Sequence, residues 1–289
     1  MNRLQDYVIV TDSGCDLPQN IIEKAEISVI SFELTFDGEH YFSGAEINHE
    51  NFYKELRSGK LPKTTQINSA KFTEYFEQFL KKKLDVIYIC FSSALSGTYA
   101  SALAAAKDLN QIFKNKVIVV DSLCASMGQG MLVCEAAEKK KTGYSVEDLE
   151  KWLNENKSRL YHVATVNDLF HLKRGGRLSA SAAMVGTLLN VKPMLKINEK
   201  GALEAFSKIR GRKAAIAALV DNMSQNMVVE ENKTVFIAHS DCQDDADFLA
   251  AEINKKFGVK NFVVNFIGPV IGSHIGPEAL VVFYWAKGR

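Results

Sequence analysis

The stretch DVIYICFSSALSGTYASALAAA, residues 85–106, decides the fold. Asp85 to Phe91 is a short apolar run rich in β-branched and aromatic residues, which predicts a buried strand. Gly97 breaks it. Thr98 to Leu109 is rich in alanine and leucine and predicts a helix. Two adjacent hydroxyls, Ser92 and Ser93, stand where the strand runs into the turn. Ligands of open α/β sheets bind just past the carboxyl ends of the strands. The following helix presents unpaired N–H groups and the positive end of its dipole there. The pattern points to a site for an oxygen-bearing anionic group, with no metal ligand or general base beside it in sequence.

Outward from this stretch, strand and helix patterns alternate. Upstream, Tyr7–Thr11 reads as a strand ended by Asp12-Ser13-Gly14, and Leu17–Ala25 as a short helix with Pro18 at its start. Ser28–Phe36 is an apolar stretch closed by a turn at Asp37-Gly38. Ser69–Lys83 carries Phe72, Tyr75, Phe76, Phe79 and Leu80 on one helical face. Downstream come strand Val117–Val120, helix Ser126–Lys141, and a helix opened by Ser145 with Asp148 three residues on. Beyond about residue 160 the texture changes. Leu169–Lys173 ends at Gly175-Gly176, and Ser179–Asn190 reads as a small-residue helix. Val191–Ile197 and Leu203–Ile209 read as a β-hairpin. Helix 212–226, strand 234–239, helix 245–257, strand 261–267 and strand 279–285 follow. The expected architecture is α/β, with two α/β domains. Residues 1–160 form an N-terminal parallel-sheet domain with helices on both faces, and 161–289 a C-terminal mixed-sheet domain.

The totals narrow the function. The 289 residues are 47% hydrophobic and 24% charged, so a formed core is expected. A net charge of +1 gives no electrostatic case for nucleic acid or an anionic membrane. No apolar run suits a membrane span, and the start of the chain enters a strand-like segment rather than a signal peptide. The five cysteines, 15, 90, 124, 134 and 242, are widely spaced without a Cys-x-x-Cys pair. They read as reduced thiols in a cytoplasmic protein rather than a disulfide or zinc framework.

Polar clusters fall at strand ends: Asp12-Ser13, Thr64-Thr65-Gln66, Ser92-Ser93, Asp121-Ser122, and His274 in the glycine-rich loop 268–277. Each has a plain structural account. Asp-Ser after a strand is the usual composition of a helix cap or Asx turn. Thr64-Thr65 follows Pro62 and suits a turn. His40, His49, His162, His171 and His239 read as hydrogen-bonded bystanders; His274 stands out for its Gly-Ser-His-Ile-Gly-Pro surroundings. Arg174-Gly175-Gly176-Arg177 suits a helix C-terminus, or contact with an anion or an acidic partner. Arg210-Gly211-Arg212-Lys213 repeats the theme. No P-loop, Gly-x-Ser-x-Gly elbow or zinc spacing is present.

Eight segments together resemble the DegV family of bacterial fatty-acid-binding proteins, the lipid-carrying subunits of fatty acid kinase. They are DSGCDLP (12–18), LPKTTQ (61–66), FSSALSGTYASA (91–102), DSLCASMGQG (121–130), NDLFHLKRGGRLS (167–179), LLNVKPML (188–195), IRGRKAA (209–215) and GPVIGSHIGP (268–277). They span almost the whole chain, in order. The resemblance implies a ligand between two α/β domains, with no cofactor, metal or catalytic residue. It implies that the hydroxyls of Thr64 and Ser93 hold a fatty acid carboxylate. Ser92 would support the turn, and His274 would close the network from the second domain. Arg174 would lie behind the site or contact the kinase catalytic subunit. The chain departs from the family at Thr65-Gln66-Ile67, where Ser-Gln-Pro is usual, and at Glu278, where glycine is common.

The implied ligand makes physical sense. A carboxylate leaving water needs several directed donors, and its tail gains roughly 0.8 kcal/mol per buried CH₂. Candidate lining residues are Phe32, Phe36, Phe91, Met127, Met131, Met184, Val185 and Leu188, all equally suited to an ordinary core. Two other functions compete. One is a serine hydrolase acting on a lipid ester, with Ser93 as nucleophile and His274 as base. The other is a binder of a phosphorylated small molecule using Arg174, Arg177, Arg210 and Arg212.

Overall fold

The computed structural model describes residues 6–36, 38–42, 47–178 and 190–289, with backbone alone at 40–42. The chain runs β1 (Tyr7–Asp12), α1 (Gln19–Lys24), β2 (Ser28–Ile30), β3 (Glu33–Phe36), β4 (Glu39–Phe42), α2 (His49–Arg57), β5 (Lys63–Thr65), α3 (Ser69–Leu80), β6 (Asp85–Cys90), α4 (Thr98–Ile112), β7 (Val117–Asp121), α5 (Met127–Lys141) and α6 (Val146–Asn156). It continues with β8 (Leu160–Thr165), α7 (Phe170–Arg174), β9 (Val191–Ile197), β10 (Leu203–Arg210), α8 (Arg212–Asn226), β11 (Thr234–His239), α9 (Gln243–Phe257), β12 (Asn261–Phe266), α10 (Pro269–Ile275) and β13 (Leu280–Trp285).

The decisive stretch becomes β6, a turn and α4. All six residues of β6 are buried, as a central parallel strand covered on both faces requires. The first sheet has the order β2-β1-β6-β7 and is parallel throughout. Its pleat divides the core: Val86, Tyr88 and Cys90 face α3 and α4, with Phe72 and Phe76 fully buried there. Ile87 and Ile89 belong to the opposite face with α5 and α6. Side chains such as Phe72 are worth roughly 1.5–3 kcal/mol each when fully buried.

The six-stranded sheet has the order β10-β9-β8-β13-β11-β12 and takes all its strands from Leu160 onward. It is antiparallel except for β11 and β12. Strands β8, β10, β11 and β12 therefore point the same way, and the helices that follow them start at one edge. Helices α8 and α9 cover the outer face. The inner face meets α5, which packs against β1 and β6 on one side and β8, β11 and β13 on the other. Nine residues of α5 are buried, the all-round burial expected of a helix between two sheets. Gly128 and Gly130 permit it: a Cβ at Gly128 would lie 1.9 Å from His162 Nε2, and one at Gly130 2.7 Å from Leu17.

A third, antiparallel sheet, β4-β3-β5, lies outside the two sheets the sequence pattern predicts. The apolar stretch 28–36 divides because Ser13 Oγ accepts the Phe32 N–H at 3.0 Å, drawing that residue off the ladder. Thr64 and Thr65 lie in β5 rather than a turn. Helix α2, capped by Asn48 with Phe52, Tyr53 and Leu56 buried, and strand β8 are further elements beyond those the pattern predicts. The expected loop 268–277 is largely α10, with Pro269 at its first turn and Gly276 in the left-handed region at φ 81°. The small-residue helix expected at 179–190 falls almost wholly outside the described residues. Among the described residues, no helix is long and apolar enough to cross a membrane.

Candidate functional site

A cavity of about 260 Å³ opens between the two large sheets. Much of its polar lining gathers at one end: Thr64, Thr65 and Gln66 from β5 and beyond, Ser96 from the turn before α4, Arg177 just past α7, and His274 from α10; Ser126, His162 and Lys196 also line it. Three contacts tie these segments together. Thr64 Oγ1 and His274 Nε2 share a hydrogen bond at 2.8 Å. Arg177 Nε donates to the Leu95 carbonyl at 3.2 Å. Gln66 Oε1 stands 2.3 Å from where a Cβ at Gly97 would fall, so the Gln66 side chain lies directly against that turn.

His274 is neutral near pH 7. Burial, then the nearby Arg177 and Arg174 guanidiniums, push its pKa down to about 4. It is therefore not the imidazolium that would oppose an anion directly; the charge at this end belongs to Arg177. Its Nδ1 is buried without a partner and stands 2.4 Å from the place of a Cβ on Gly175. With Nε2 protonated, the ring donates to Thr64 and frees the threonine hydroxyl to donate onward. The Thr64–His274 pair then forms a two-step donor chain suited to an oxyanion at the cavity mouth.

The other expected site residues separate. Ser92 is fully buried, and its Oγ donates to the Gly201 carbonyl at 2.8 Å. It clasps the β9–β10 hairpin tip to the first sheet. Ser93 is exposed and outside the cavity lining, with its N–H given to Asp121 Oδ1 at 3.2 Å. The structure does not bring Ser93 to the site, because the turn carries Ser96 there instead. Among the described residues, no hydrogen bond joins Ser93 to His274, and no carboxylate orients the ring, so a Ser93–His274 hydrolytic couple is not assembled. Arg174 Nη2 donates to the Ser273 carbonyl at 3.0 Å, fixing α7 to α10 without lining the cavity. Arg212 is paired with Asp245 at 2.8 Å. The signal missed for Ser96 was its place directly before Gly97 at the start of α4.

Away from the polar end the lining is largely apolar: Phe32, Phe91, Ala164, Leu172, Leu195, Ile197, Val270, Val281 and Phe283 among others. Phe32 and Phe91, both expected, meet edge-to-face at 6.1 Å. Met127 and Met131 belong instead to the core between the sheets, and Phe36 packs on Phe52. Met184, Val185 and Leu188 lie outside the described residues. His162, whose sequence context suits a hydrogen-bonded bystander, lines the cavity. Two buried carboxylates support the walls. Asp12 accepts from Tyr88 Oη at 2.7 Å and from the Phe91 and Gly14 N–H groups; burial raises its pKa. Asp16 accepts from Ser126 Oγ at 2.6 Å and from the Gly268 N–H at 2.9 Å, joining the starts of α5 and α10. Burial pushes it up to about 7.

This arrangement is a binding slot: polar donors at a rim, a mostly apolar interior, and rigid elements on both sides. Among the described residues, no group of three or more His, Cys, Asp or Glu is disposed to hold a metal ion. Comparison with known proteins gives the family. The family model described as "Uncharacterised protein, DegV family" matches residues 6–287. A DegV domain-containing protein of Clostridium perfringens is 42% identical over 284 residues, covering 97% of this chain and 98% of that one. The solved DegV of Bacillus subtilis, described as a fatty acid binding protein, superposes with a TM-score of 0.83 at 33% identity, covering 98% and 99% of the two chains. A DegV family protein from Thermus thermophilus, solved in a study of its fatty acid binding, gives a TM-score of 0.87 at 30% identity, covering 97% and 99%. With most of its length matched in both sequence and backbone, the chain belongs to the DegV family.

Proposed function

We propose that this protein binds one long-chain fatty acid in the cavity between its sheets and presents the carboxylate to a separate ATP-dependent fatty acid kinase for acyl-phosphate formation. The observation that carries the reading is the segregation of the cavity. Hydroxyl, amide and guanidinium groups gather at one end, and apolar side chains line most of the rest. A fatty acid has the same division. The Thr64 hydroxyl, backed by His274, and the Ser96 hydroxyl donate to the head group, and Arg177 supplies the opposing charge. The fatty acid binding of the Bacillus subtilis and Thermus thermophilus relatives supports the same ligand class.

The family resemblance and the rim support the kinase step. Arg174 and Arg177 are exposed beside the polar end, where a partner bringing the phosphoryl group would dock. No residue of this chain carries out the transfer in this reading. The protein acts in the cytoplasm, taking the fatty acid and delivering acyl-phosphate. The test is native mass spectrometry of the bacterially expressed protein, followed by organic extraction. One fatty acid per chain, lost on denaturation and restored on adding free acid, is expected. Protein free of acyl chains that takes up none refutes the proposal.

A further inference from the structure

The strand register divides the cavity into rows. Strand β8 runs toward α7, so on the face that lines the cavity His162 lies two residues farther from the polar end than Ala164, about 7 Å along the strand. Pairing carries the rows across the sheet. Val281 stands opposite Ala164, Phe283 opposite His162, and Leu195 opposite Ala164, with Ile197 one same-face step deeper. The deepest row is Phe283–His162–Ile197, continued on β10 by Leu203 opposite Ile197. The next same-face residues, Leu160 and Trp285, are outside the lining and packed in the core.

His162 holds the centre of that row. It is 4% exposed, packs edge-to-face on Phe283 at 5.2 Å, and accepts the Ala125 N–H through Nε2 at 3.4 Å. Gly128 leaves the ring its place against α5. An imidazole wedged between a strand and a helix has no free volume to yield to a longer tail, because packed interiors resist such change. We infer that His162, with Ile197 and Phe283 beside it, is the floor of the cavity and sets the longest acyl chain the protein accepts. This rests on the fatty acid reading above, and it assigns chain-length selection to particular residues.

The test measures dissociation constants for saturated acids from dodecanoic to eicosanoic with the whole protein, His162→Ala, Ile197→Ala and Ala164→Val. Each extra methylene that finds room improves affinity about fourfold, the equivalent of about 0.8 kcal/mol. The optimum is expected to move to longer chains in His162→Ala and Ile197→Ala. In Ala164→Val every length weakens without a shift toward longer chains. An unchanged optimum in folded floor variants overturns this inference and leaves fatty acid binding intact. Failure of the unaltered protein to bind any acid overturns the functional reading itself. Should His162→Ala not fold, Ile197→Ala and Phe283→Leu decide the matter through the neighbouring members of the row.

Discussion

Thr64→Val removes one hydroxyl and keeps the shape of a β-branched side chain in β5. In the structure that hydroxyl meets His274 Nε2 at 2.8 Å, and the ring is neutral because its pKa is held at about 4. The proton order that uses both groups is Nε2–H to Thr64, then Thr64 O–H to the bound carboxylate. A hydrogen bond to a charged acceptor contributes about 1.5–3 kcal/mol, which corresponds to roughly 10- to 150-fold in affinity. Thr64 is only partly buried, so water screens the contact and the lower part of that range applies, about 10- to 30-fold. Thr64→Ser keeps the donor and should bind within a few-fold of the unaltered protein. The assay is displacement of a fluorescent fatty acid from delipidated protein. Equal affinity of Thr64→Val and the unaltered protein would refute the donor chain. A loss in the serine variant that the valine variant does not share would assign the effect to packing of the methyl group.

Ser96→Ala should weaken fatty acid binding in the same assay by roughly tenfold, while Ser93→Ala, at an exposed position, leaves it unchanged; the reverse ranking would return the head group to Ser93. Ligand binding between pH 4 and 6.5 should take up protons, because a carboxylate beside His274 raises its depressed pKa; calorimetry in buffers of different ionisation enthalpy reads the uptake, and no buffer dependence contradicts it. Asp16, raised to about 7 in the fold, binds a proton there more tightly than in the unfolded chain. Its stabilising share is therefore present below pH 4 and lost as pH rises through 7. Asp16→Asn should gain stability relative to the unaltered protein over that interval, seen as a difference in denaturation midpoints that grows with pH. Charge reversal at Arg174 or Arg177 should impair acyl-phosphate formation with the kinase; loss of bound lipid in the Arg174 variant would place that residue in the site instead.

The sheet elements that local pattern controls were legible in the sequence. Strand β6 and helices α3, α4, α5 and α8 fall within a few residues of their expected bounds, because apolar periodicity and alanine content agree there with the tertiary burial. Ser145 and Asp148 form the expected cap, with the Asp148 N–H given to Ser145 Oγ at 3.1 Å. The failures have physical causes. Strand β3 leaves the β2 line through a side chain to backbone bond from Ser13, a contact between residues 19 apart that no local pattern records. Helix α10 hides in a run of glycines because its form is enforced from outside. Asp16 takes the Gly268 N–H, and Tyr53 Oη donates to the Ile267 carbonyl at 2.6 Å. The site followed the same division. Thr64 and His274, 210 residues apart, could be named from motifs, but their contact is a product of tertiary packing. The choice among Ser92, Ser93 and Ser96 depends on the path of one turn. That path is fixed by Asp121 on one side and Gly201 on the other.

These distant contacts also explain why the cavity stays open. A void between two sheets ordinarily collapses, since its lining atoms forgo dispersion contacts. Here collapse is opposed at both margins by polar bonds that would be broken and left unsatisfied in a drier core. Ser92 fastens the hairpin tip at Gly201. Asp16 fastens the starts of α5 and α10. Arg289 donates to the Leu123, Leu160 and Asn198 carbonyls across the junction of the sheets. The helix between the sheets acts as a spacer, and its approach is limited by His162 against Gly128 and Leu17 against Gly130. Side chains lining the gap are therefore held apart largely by contacts behind the lining, with Ser126 and His162 belonging to both. The site is preorganised for a tail whose burial completes the packing that the fold alone leaves unfinished.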